Sequence, residues 1–301
     1  MYETLAALAQ NLGAGVEYNA PMCKYTSFKA GGNASLLITP KSLPSLREII
    51  VACKENEIEY FILGNGSNVL VRDGGIDGAV IRLGSDLSKI TLLDENTIFA
   101  EAGASLKSIC MFALEHSLSG LEFAYGIPGT LGGAVYMNAG AYGGEMKDVL
   151  YSVSHIDDNG EFGELSKENL NLSYRHSAYA ENSFVITSAV IKLQKGNFDD
   201  IKAKMNELLS KRKEKQPIEY PSAGSTFKRH EGYFAGALIE DCNLKGKEIG
   251  GAQVSEKHAG FIINKNKATA SDILNLIEFV QDEVYKKHGV HLETEVKIIG
   301  K

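Results

Sequence analysis

The serine at position 225 has the surroundings that most suggest a chemical role. It lies in YPSAGSTFK, residues 220–228, behind a small-residue turn, and Lys228 follows three positions later. A hydrolase nucleophile would require the pattern G-x-S-x-G, but Ser225 has Ala-Gly before it and Thr-Phe after it. A base such as His176 or His258 could come from a distant part of the chain, although nothing in the sequence marks one. From the residues alone, a backbone-bonding turn serine and a nucleophile both stay open.

A glycine-containing turn separates two apolar runs in LGNGSNVLV, residues 63–71. Such a turn between strands can aim successive N–H groups inward and form a nest for a pyrophosphate. It does not fit a dinucleotide fingerprint, because Val69 occupies the place of the third glycine and a strand follows instead of a helix. It is not a Walker loop either, because no Gly-Lys-Ser/Thr occurs. Considered alone, the segment is also compatible with a plain tight turn.

A second segment, YGIPGTLGGAVYMNAGAYGGE at residues 125–145, concentrates many small residues. Glycine lets the backbone approach a flat or phosphate-bearing group closely, since no Cβ intervenes. Pro128 fixes one turn, and Asn138 and Tyr142 could supply polar groups. The apolar residues between the glycines, such as Ile127, indicate burial. The segment therefore predicts a ligand-contacting loop in preference to a loose connection.

The elements that position these segments begin with a β-α-β unit in the first third of the chain. ASLLITP and EYFILG are the predicted strands, and residues 44–56 carry apolar side chains at helical spacing, with Pro44 in the first turn. A second helix is predicted at about 105–118 and should stop at Gly120. The region of about 146–194 has the alternation and turn residues of strands.

Two later helices and a domain boundary complete the outline. Residues 198–215, FDDIKAKMNELLSKRKEK, form an amphipathic pattern, with Asp199 as the predicted cap and a basic end that complements the helix dipole. QPIEYP then breaks the pattern, so a further domain is predicted to begin near here. The last helix is predicted at about 271–288, with Ser271 as N-cap and Gly289 at its end, and HLETEVKII finishes the chain as a strand.

Composition and charge restrict the functional class. A chain of 301 residues, 44% apolar and 23% charged, is ordinary for a globular protein of two or three domains. The net charge of −7 argues against a nucleic-acid or anionic-membrane surface, so an anionic ligand needs a local basic patch. The four separated cysteines are interpreted as free thiols, and no metal site is expected. Without a secretory start or a membrane-length apolar run, a cytoplasmic location is expected.

Taken together, the segments resemble those of the UDP-N-acetylenolpyruvoylglucosamine reductases, the MurB family. The resemblance rests on LGNGSNVLV and GIPGTLGGAVYMNAGAYGGE, preceded by YTSFKAGGNA at 25–34. It continues in LSYRHS (172–177), YPSAGSTFKR (220–229), ALIEDCNLKG (237–246), VSEKHAGFIIN (254–264) and LETEV (292–296). These motifs follow one another along nearly the whole chain, so their agreement is specific although each alone is weak.

The resemblance implies an α+β protein with a vanillyl-alcohol-oxidase/PCMH-type FAD-binding fold of two α+β subdomains and a C-terminal α+β substrate-binding domain. The corresponding ranges are 1–84, 85–197 and 198–301, with the last strand, about 290–301, returning toward the flavin site. FAD is expected to bind non-covalently, since neither glycine-rich segment offers a histidine or cysteine for attachment. The residues implied to contact FAD are Gly64, Asn65, Gly66, Ser67, Asn68, Gly126, Ile127, Pro128, Gly129, Gly132, Gly133, Asn138, Gly140, Ala141 and Tyr142.

The resemblance also implies roles for three separated side chains. In the family, a hydride from reduced flavin reaches the β-carbon of an enolpyruvyl ether, and negative charge develops on the α-carbon and its carboxylate. Ser225 matches the proton donor, Arg175 the cation that stabilises this charge, and Glu295 the acidic partner near the carboxylate. Because serine is a weak acid, Lys228 or backbone N–H groups are expected to stabilise its alkoxide. Glu295 is expected to be protonated or to share a proton, since it would otherwise repel the substrate carboxylate.

The implied substrate is UDP-N-acetylglucosamine-enolpyruvate, and the implied product is the peptidoglycan precursor UDP-N-acetylmuramate. The residues implied to bind the substrate are Lys215, Lys228, Arg229, Gln253 and His258. NADPH is the implied reductant and uses the same pocket in turn, while no nucleic acid, membrane or partner chain is expected, so a monomer is predicted. The chain leaves no room after YRHS for the inserted tyrosine loop of the longer branch of the family, and Tyr174 and Tyr179 are not expected to replace it.

Three alternatives remain open at this point. A flavin oxidase, or the FAD subunit of a hydroxylase, would give no reason for Ser225, Arg175 and Glu295 to occur together. A serine hydrolase would be excluded by a yellow preparation that releases FAD. A sugar-nucleotide-binding module without turnover would show no kinetic effect of replacing Ser225.

Overall fold

A computed structural model describes residues 2–229 and 232–301 of the chain. The helices in this part are α1 Tyr2–Asn11, α2 Leu43–Glu55, α3 Leu106–Glu115, α4 Leu131–Tyr136, α5 Met146–Val149, α6 Phe198–Lys215, α7 Ala235–Asp241 and α8 Ala270–His288. The strands are β1 Gly15–Pro21, β2 Asn33–Thr39, β3 Tyr60–Leu63, β4 Val69–Val71, β5 Ile76–Arg82, β6 Ile90–Leu92, β7 Thr97–Glu101, β8 Leu118–Ser119, β9 Gly140–Ala141, β10 Gly144–Glu145, β11 Leu150–Ile156, β12 Phe162–Ser166, β13 Val185–Lys192, β14 Gln194–Lys195, β15 Glu248–Ile249, β16 Ala252–Val254, β17 Ile262–Asn264 and β18 Lys297–Ile299. Among these helices, none has both the length and the apolar character needed to cross a bilayer.

The chain divides into two compact units, and both are discontinuous in sequence. Unit 1 comprises the residues up to Glu17, Leu36–Asn65 and Gly78–Lys211, and unit 2 comprises Tyr18–Ser35, Gly66–Asp77 and Arg212–Lys301. The ranges predicted from the sequence are contiguous. The difference arises in part because β18 pairs in parallel with β4, which joins an early segment to the end of the chain. The division of the FAD-binding part into two subdomains stays a prediction.

The β-α-β unit predicted from the sequence is present in unit 1. Its strands belong to a four-stranded sheet in the order β1-β2-β5-β3, in which β3 and β5 run parallel. Helix α2 follows β2 and begins at Ser42, whose hydroxyl accepts the N–H of Ser45, with Pro44 in the first turn. The predicted apolar stripe of α2 is buried, and it includes Leu46 and Ile49. Burial of this stripe supplies most of the driving force for the helix, since side chains of this type contribute roughly 1.5–3 kcal/mol each.

A second sheet of unit 1, in the order β12-β11-β13-β7-β6, is antiparallel throughout. Three of its strands, β11, β12 and β13, form the strand-rich region that the sequence predicts at about 146–194. Helix α3 buries the predicted face but ends at Glu115, three residues early. The physical reason is Ser117, which adopts a left-handed conformation at φ 54° and turns the chain into β8 before Gly120 is reached.

Two predicted helix caps are wrong. Helix α6 is capped by Asn197 and not by Asp199, because the Asn197 side-chain oxygen accepts the N–H groups of residues 199 and 200. Helix α8 is capped by Thr269 and not by Ser271, because Thr269 and Asp272 form a reciprocal capping box. The predicted end of α8 is confirmed, since Gly289 has the left-handed φ of 67° that closes a helix at low cost.

Unit 2 has its own apolar core. Helix α8 packs against the sheet β15-β16-β17 and buries Ile273, Leu276, Ile277, Val280 and Val284. The last strand of the chain is shorter than predicted, because only Lys297–Ile299 pairs continuously, with β4. Ahead of it, Thr294 forms an isolated antiparallel bridge with Phe227. This bridge brings the residues around 295 beside the serine motif.

A buried histidine on β11 makes the core of unit 1 sensitive to acid. The ring of His155 stacks on Phe184 at 4.7 Å, and its Nδ1 lies 3.1 Å from the hydroxyl of Tyr179. That hydroxyl donates to the carbonyl of Val153, so it accepts from His155. Burial lowers the pKa of His155, and the charge of Asp157 opposes this shift only in part.

We therefore expect the free energy of unfolding to fall as the pH drops below the ordinary histidine value of 6.5. The unfolded chain binds a proton at His155 in that range and the folded chain does not, so the stabilisation is complete above 6.5 and is lost as the pH falls toward the lower folded-state pKa. Urea unfolding at about pH 7.5 and about pH 5.5, for the wild type and His155→Gln, measures the loss. An equal loss in both proteins would assign the acid sensitivity to other groups.

Candidate functional site

Ser225 and Glu295 are brought together in unit 2 by backbone pairing. The N–H of Glu295 donates to the carbonyl of Thr226 at 2.8 Å, and the N–H of Thr226 donates to the carbonyl of Gly260, also at 2.8 Å. The Thr226 hydroxyl accepts the N–H of Ile262 at 3.1 Å. Thr226 is therefore fully engaged and buried, whereas Ser225 and Glu295 on either side of this pairing are half-buried. The arrangement presents a hydroxyl and a carboxyl from neighbouring segments.

Ser225 lines a cavity of about 380 Å³ in unit 2. Its walls carry the cationic side chains of Arg229, Lys245 and Lys257 together with His258. The remaining lining residues are Phe227, Phe234, Ala235, Gly236, Ala237, Glu240, Ala259 and Gly260. Three cations against one carboxylate make this the local basic patch that an acidic chain needs to bind an anionic ligand.

Two of the predicted substrate-binding residues, Arg229 and His258, line this cavity, and three do not. Lys228 instead pairs with the exposed carboxylate of Glu293 at 2.9 Å, and Lys215 is exposed at the end of α6. The side chain of Gln253 is buried and donates to Glu248 at 2.8 Å. A substrate contact by Lys215, Lys228 or Gln253 stays a prediction that the arrangement of unit 2 does not favour.

Sequence reasoning missed Lys245 and Lys257. Both lie inside motifs that carried the family resemblance, CNLKG and SEKHAG, but isolated lysines are ordinarily surface charges and gave no signal of their own. In the structure Lys257 Nζ donates to the carbonyl of Lys213 at 2.7 Å, and Lys245 pairs with Glu240 at 2.6 Å. Lys257 also pairs with Glu219 at 3.5 Å, so each of the two ammonium groups is held by protein acceptors.

The geometry of His258 disfavours a hydrolase. Its Nδ1 accepts the N–H of Gly260 at 3.1 Å, so Nδ1 carries no proton and the neutral ring is protonated at Nε2. In a Ser-His-acid triad, Nδ1–H donates to the carboxylate that orients the ring. Burial is the main cause that lowers the pKa of His258, and the charge of Lys245 adds to it. The Nδ1 atom, which a triad acid would use to orient the imidazole, is therefore already bonded to the backbone of Gly260.

The two glycine-rich segments approach each other within unit 1. A Cβ on Gly64 would lie 2.2 Å from Thr130 Oγ1, so only glycine permits this packing. The amide of Asn65 donates to the carbonyl of Pro128 at 3.2 Å. Gly133 is less crowded, since, among the described residues, the one close neighbour of a Cβ there would be Thr130 Oγ1 at an ordinary 3.7 Å. The two segments thus pack closely at Gly64 and Thr130.

The turn after β3 offers hydrogen-bond donors that the protein does not use. Over the described residues, no protein acceptor meets the backbone N–H of Asn65, Gly66 or Ser67. Gly66 has a left-handed φ of 60°, and a Cβ there would lie 2.3 Å from the carbonyl oxygen of Tyr25. Successive N–H groups that are not bonded to a protein acceptor suit a pyrophosphate, so the residues of this turn fit the diphosphate of FAD.

The second glycine-rich segment contains a short helix, α4, which the sequence did not predict. Its N-terminal residues are held by backbone, because Leu131 N–H donates to Ala104 and Gly132 N–H donates to Ala102. Asn138 and Tyr142 have left-handed φ values of 43° and 54°. The Asn138 side chain is buried and bonded within the protein, whereas Tyr142 is 45% exposed. Direct FAD contact by the residues of this segment stays a prediction.

We expect Gly64→Ala to weaken FAD binding by roughly 10-fold or more. The added methyl forces the turn away from Thr130, and overpacking of this kind costs about 1–3 kcal/mol. The measurement is the ratio of flavin to protein after dialysis, together with the melting temperature. Gly15→Ala is the matched control, because its Cβ would meet Thr39 Cβ at an ordinary 3.6 Å. A variant that keeps its full flavin content would show that this contact is not needed.

Arg175 lies in a tight turn of unit 1. Ser173 and His176 pair through both of their backbone N–H groups, at 3.2 Å each, and enclose Tyr174 and Arg175. Arg175 has a left-handed φ of 55°, and its guanidinium lies over the ring of Tyr174 at 5.1 Å. Tyr179, by contrast, is buried in the core of unit 1, where its hydroxyl donates to the carbonyl of Val153.

Comparison with known proteins agrees with this arrangement. Residues 34–166 match the family described as FAD binding domain, and residues 216–299 match the family described as UDP-N-acetylenolpyruvoylglucosamine reductase, C-terminal domain. The chain is 55% identical to the UDP-N-acetylenolpyruvoylglucosamine reductase of Clostridium novyi (strain NT) over 95% of its own length and 92% of the relative's. It is 53% identical to that of Caldanaerobacter subterraneus subsp. tengcongensis, over 94% and 93% of the two chains.

A solved structure extends the similarity to the fold. The crystal structure of the UDP-N-acetylenolpyruvylglucosamine reductase (MurB) from Thermus caldophilus is 36% identical, with a TM-score of 0.84, over 95% of this chain and 100% of that one. The protein thus has the predicted α+β architecture, an FAD-binding fold of the vanillyl-alcohol-oxidase type followed by a C-terminal domain, and FAD is its cofactor. The chain therefore belongs to the UDP-N-acetylenolpyruvoylglucosamine reductase family and is an FAD-dependent oxidoreductase.

Proposed function

We propose that the protein reduces the enolpyruvyl ether of UDP-N-acetylglucosamine-enolpyruvate to UDP-N-acetylmuramate, with NADPH as the reductant. One hydride and one proton add across the carbon–carbon double bond, and NADPH is oxidised to NADP⁺. Bound FAD supplies the hydride relay between NADPH and C3 of the enolpyruvyl group. The observation that carries the proposal lies in unit 2, where Ser225 lines a cavity with three cationic side chains and the backbone of Glu295 is bonded to the next residue, Thr226.

Ser225 is the proposed proton donor to C2. Its hydroxyl proton goes to the carbon, the electron pair of the developing carbanion forms the new C–H bond, and solvent restores the serine proton after turnover. Because serine is a weak acid, the alkoxide needs nearby positive charge or N–H groups. Arg229, Lys245 and Lys257 line the same cavity and are proposed to supply that field, while Lys228 is not among the lining residues.

Arg175 and Glu295 are proposed to act on the substrate carboxylate. A guanidinium stays charged at all relevant pH values and presents a planar fork that matches a carboxylate, so Arg175 suits the stabilisation of charge that spreads from C2. Glu295 is proposed to be neutral when substrate is bound and to donate a hydrogen bond, since two carboxylates in contact cannot both be ionised. Its main chain is fixed to Thr226 in either protonation state.

The diphosphate of the substrate is proposed to occupy the cationic cavity. Lys257 and Lys245 are each anchored by a protein acceptor, which reduces the entropy lost when they engage a phosphate. Phe227 and Phe234 provide apolar walls beside them. Binding within one cavity also agrees with NADPH and substrate entering in turn.

The test follows flavin absorbance without oxygen. Addition of NADPH should bleach the flavin, and subsequent addition of the enolpyruvyl sugar nucleotide should restore the colour with formation of one UDP-N-acetylmuramate per flavin. A product formed in D₂O should carry deuterium at C2, because the hydroxyl proton of Ser225 exchanges with solvent. Flavin that is reduced by NADPH but recoloured only by oxygen would overturn the proposal in favour of an oxidase. A preparation without flavin absorbance would overturn it altogether.

A further inference from the structure

Asn138 joins the second glycine-rich segment to the turn that contains Arg175. It follows α4 and is 1% exposed, with a left-handed backbone at φ 43°. A non-glycine residue in this conformation costs on the order of 1 kcal/mol, so its surroundings must hold it in place. The interactions of the Asn138 side chain are therefore those that determine this part of the segment.

Every polar atom of the Asn138 amide is engaged. Nδ2 donates to the carbonyl of Ser173 at 3.0 Å and to Glu145 Oε2 at 2.5 Å, while Oδ1 accepts the N–H of Lys147 at 2.9 Å. Glu145 is fixed in turn by the ammonium of Lys147 at 2.7 Å. A primary amide is the one group of this size that offers two donors and an acceptor together, so aspartate, leucine or alanine cannot replace it.

The carbonyl that accepts a hydrogen bond from Asn138 belongs to Ser173, the first residue of the turn that contains Arg175. Ser173 pairs with His176 through both backbone groups, so its orientation sets that of the two residues between them. In a second hydrogen bond, the hydroxyl of Ser177 donates to the carbonyl of Tyr136 at 2.6 Å. Both hydrogen bonds connect the turn to the end of α4. The left-handed Arg175 is thus held in its turn by contacts with the segment predicted to contact flavin.

We propose that Asn138 is a positioning residue for Arg175. Its side-chain amide fixes the direction in which the Arg175 guanidinium leaves the turn. The inference rests on the proposed function, since it takes Arg175 as the cation that stabilises the developing charge. A displacement of about 1 Å in a catalytic group can cost on the order of 100-fold in rate. Loss of the Asn138 amide should therefore slow reduction of the substrate and spare reduction of the flavin.

A double-mutant cycle tests this coupling. In flavin-loaded enzyme, Asn138→Ala should slow flavin reoxidation by the enolpyruvyl substrate roughly 10- to 100-fold and leave flavin reduction by NADPH within about two-fold. In the Arg175→Ala background, the same substitution should add less than about three-fold, because the group that it positions is already absent. Asn56→Ala is the matched control: it removes a comparable amide-to-carbonyl bond of 2.8 Å, to Ala52 in α2, and should change neither half-reaction.

The outcomes separate this inference from the proposed function. If Arg175→Ala slows reoxidation but the effects of the two substitutions multiply, Asn138 does not act through Arg175, and only the inference is overturned. If Arg175→Ala leaves reoxidation unchanged, the role of Arg175 in the proposed function fails and the inference fails with it. Should Asn138→Ala not retain FAD, Ser177→Ala enters the same cycle, because it loosens the same turn and leaves the hydrogen bond between Asn138 and Glu145 intact. The same two results then decide.

Discussion

Replacement of Ser225 by alanine is expected to slow flavin reoxidation by the enolpyruvyl substrate by roughly 10²- to 10⁴-fold, the range typical of a lost general acid. Flavin reduction by NADPH should stay within about two-fold, because no proton from the serine takes part in it. The hydroxyl lines a cavity and its neighbour Thr226 holds the backbone, so the variant should fold normally. Anaerobic stopped-flow absorbance measures both half-reactions on one sample.

Ser222→Ala is the matched control for this experiment. The contact at Ser222 is made by its carbonyl, which accepts the Ser27 hydroxyl at 2.6 Å and survives the substitution. We expect this variant to keep both half-reactions. A Ser225→Ala enzyme that reoxidises at the wild-type rate would remove the serine from proton transfer and leave solvent or another acid as the donor.

Two substitutions of Glu295 should show whether it acts as a neutral hydrogen-bond donor or as an ionised carboxylate. We expect Glu295→Ala to slow reoxidation by about 10²- to 10³-fold, the usual cost of removing one preorganised donor. Glu295→Gln should lose no more than about 10-fold, since an amide can donate to the substrate carboxylate as a protonated acid does. Both substitutions keep the backbone bond to Thr226. The measurement is the reoxidation rate and the apparent substrate affinity of each variant.

Glu293 provides the control two residues away. Its carboxylate is 72% exposed and pairs with Lys228, and surface pairs of this kind contribute about 0–1 kcal/mol. Glu293→Ala should therefore have little effect on turnover. If Glu295→Gln is as slow as Glu295→Ala, the proton on the acid is itself transferred, and the role of a neutral donor is wrong.

The elements with a regular apolar pattern could be predicted from the sequence. The buried faces of α2, α3 and α8 repeat at helical spacing, and burial decides the conformation where the pattern is strong. Helix α4 could not be predicted, because two of its six residues are glycines with low helix propensity and its start is held by backbone bonds to residues 102 and 104. The two N-cap predictions were wrong for a related reason, since several polar residues near the start of each helix could have capped it.

The candidate site could be predicted from the sequence only in part. The adjacency of Ser225 and Glu295 depends on the Phe227–Thr294 bridge, which joins segments far apart in the chain and leaves no periodic signal. Family resemblance identified both residues where spacing could not. The cavity lysines were missed because their significance comes from where unit 2 folds them, and not from their neighbours in sequence.

The parallel pairing of β4 with β18 also bears on how the chain folds. The strand that leaves the GNGSN turn pairs with a segment more than 200 positions further along the chain, so forming this pair closes a very long loop. Pairings of such high sequence separation form slowly, so the native arrangement of the turn and its available amides is expected late in folding. Refolding chains should therefore gain flavin after the local elements of unit 1 have formed.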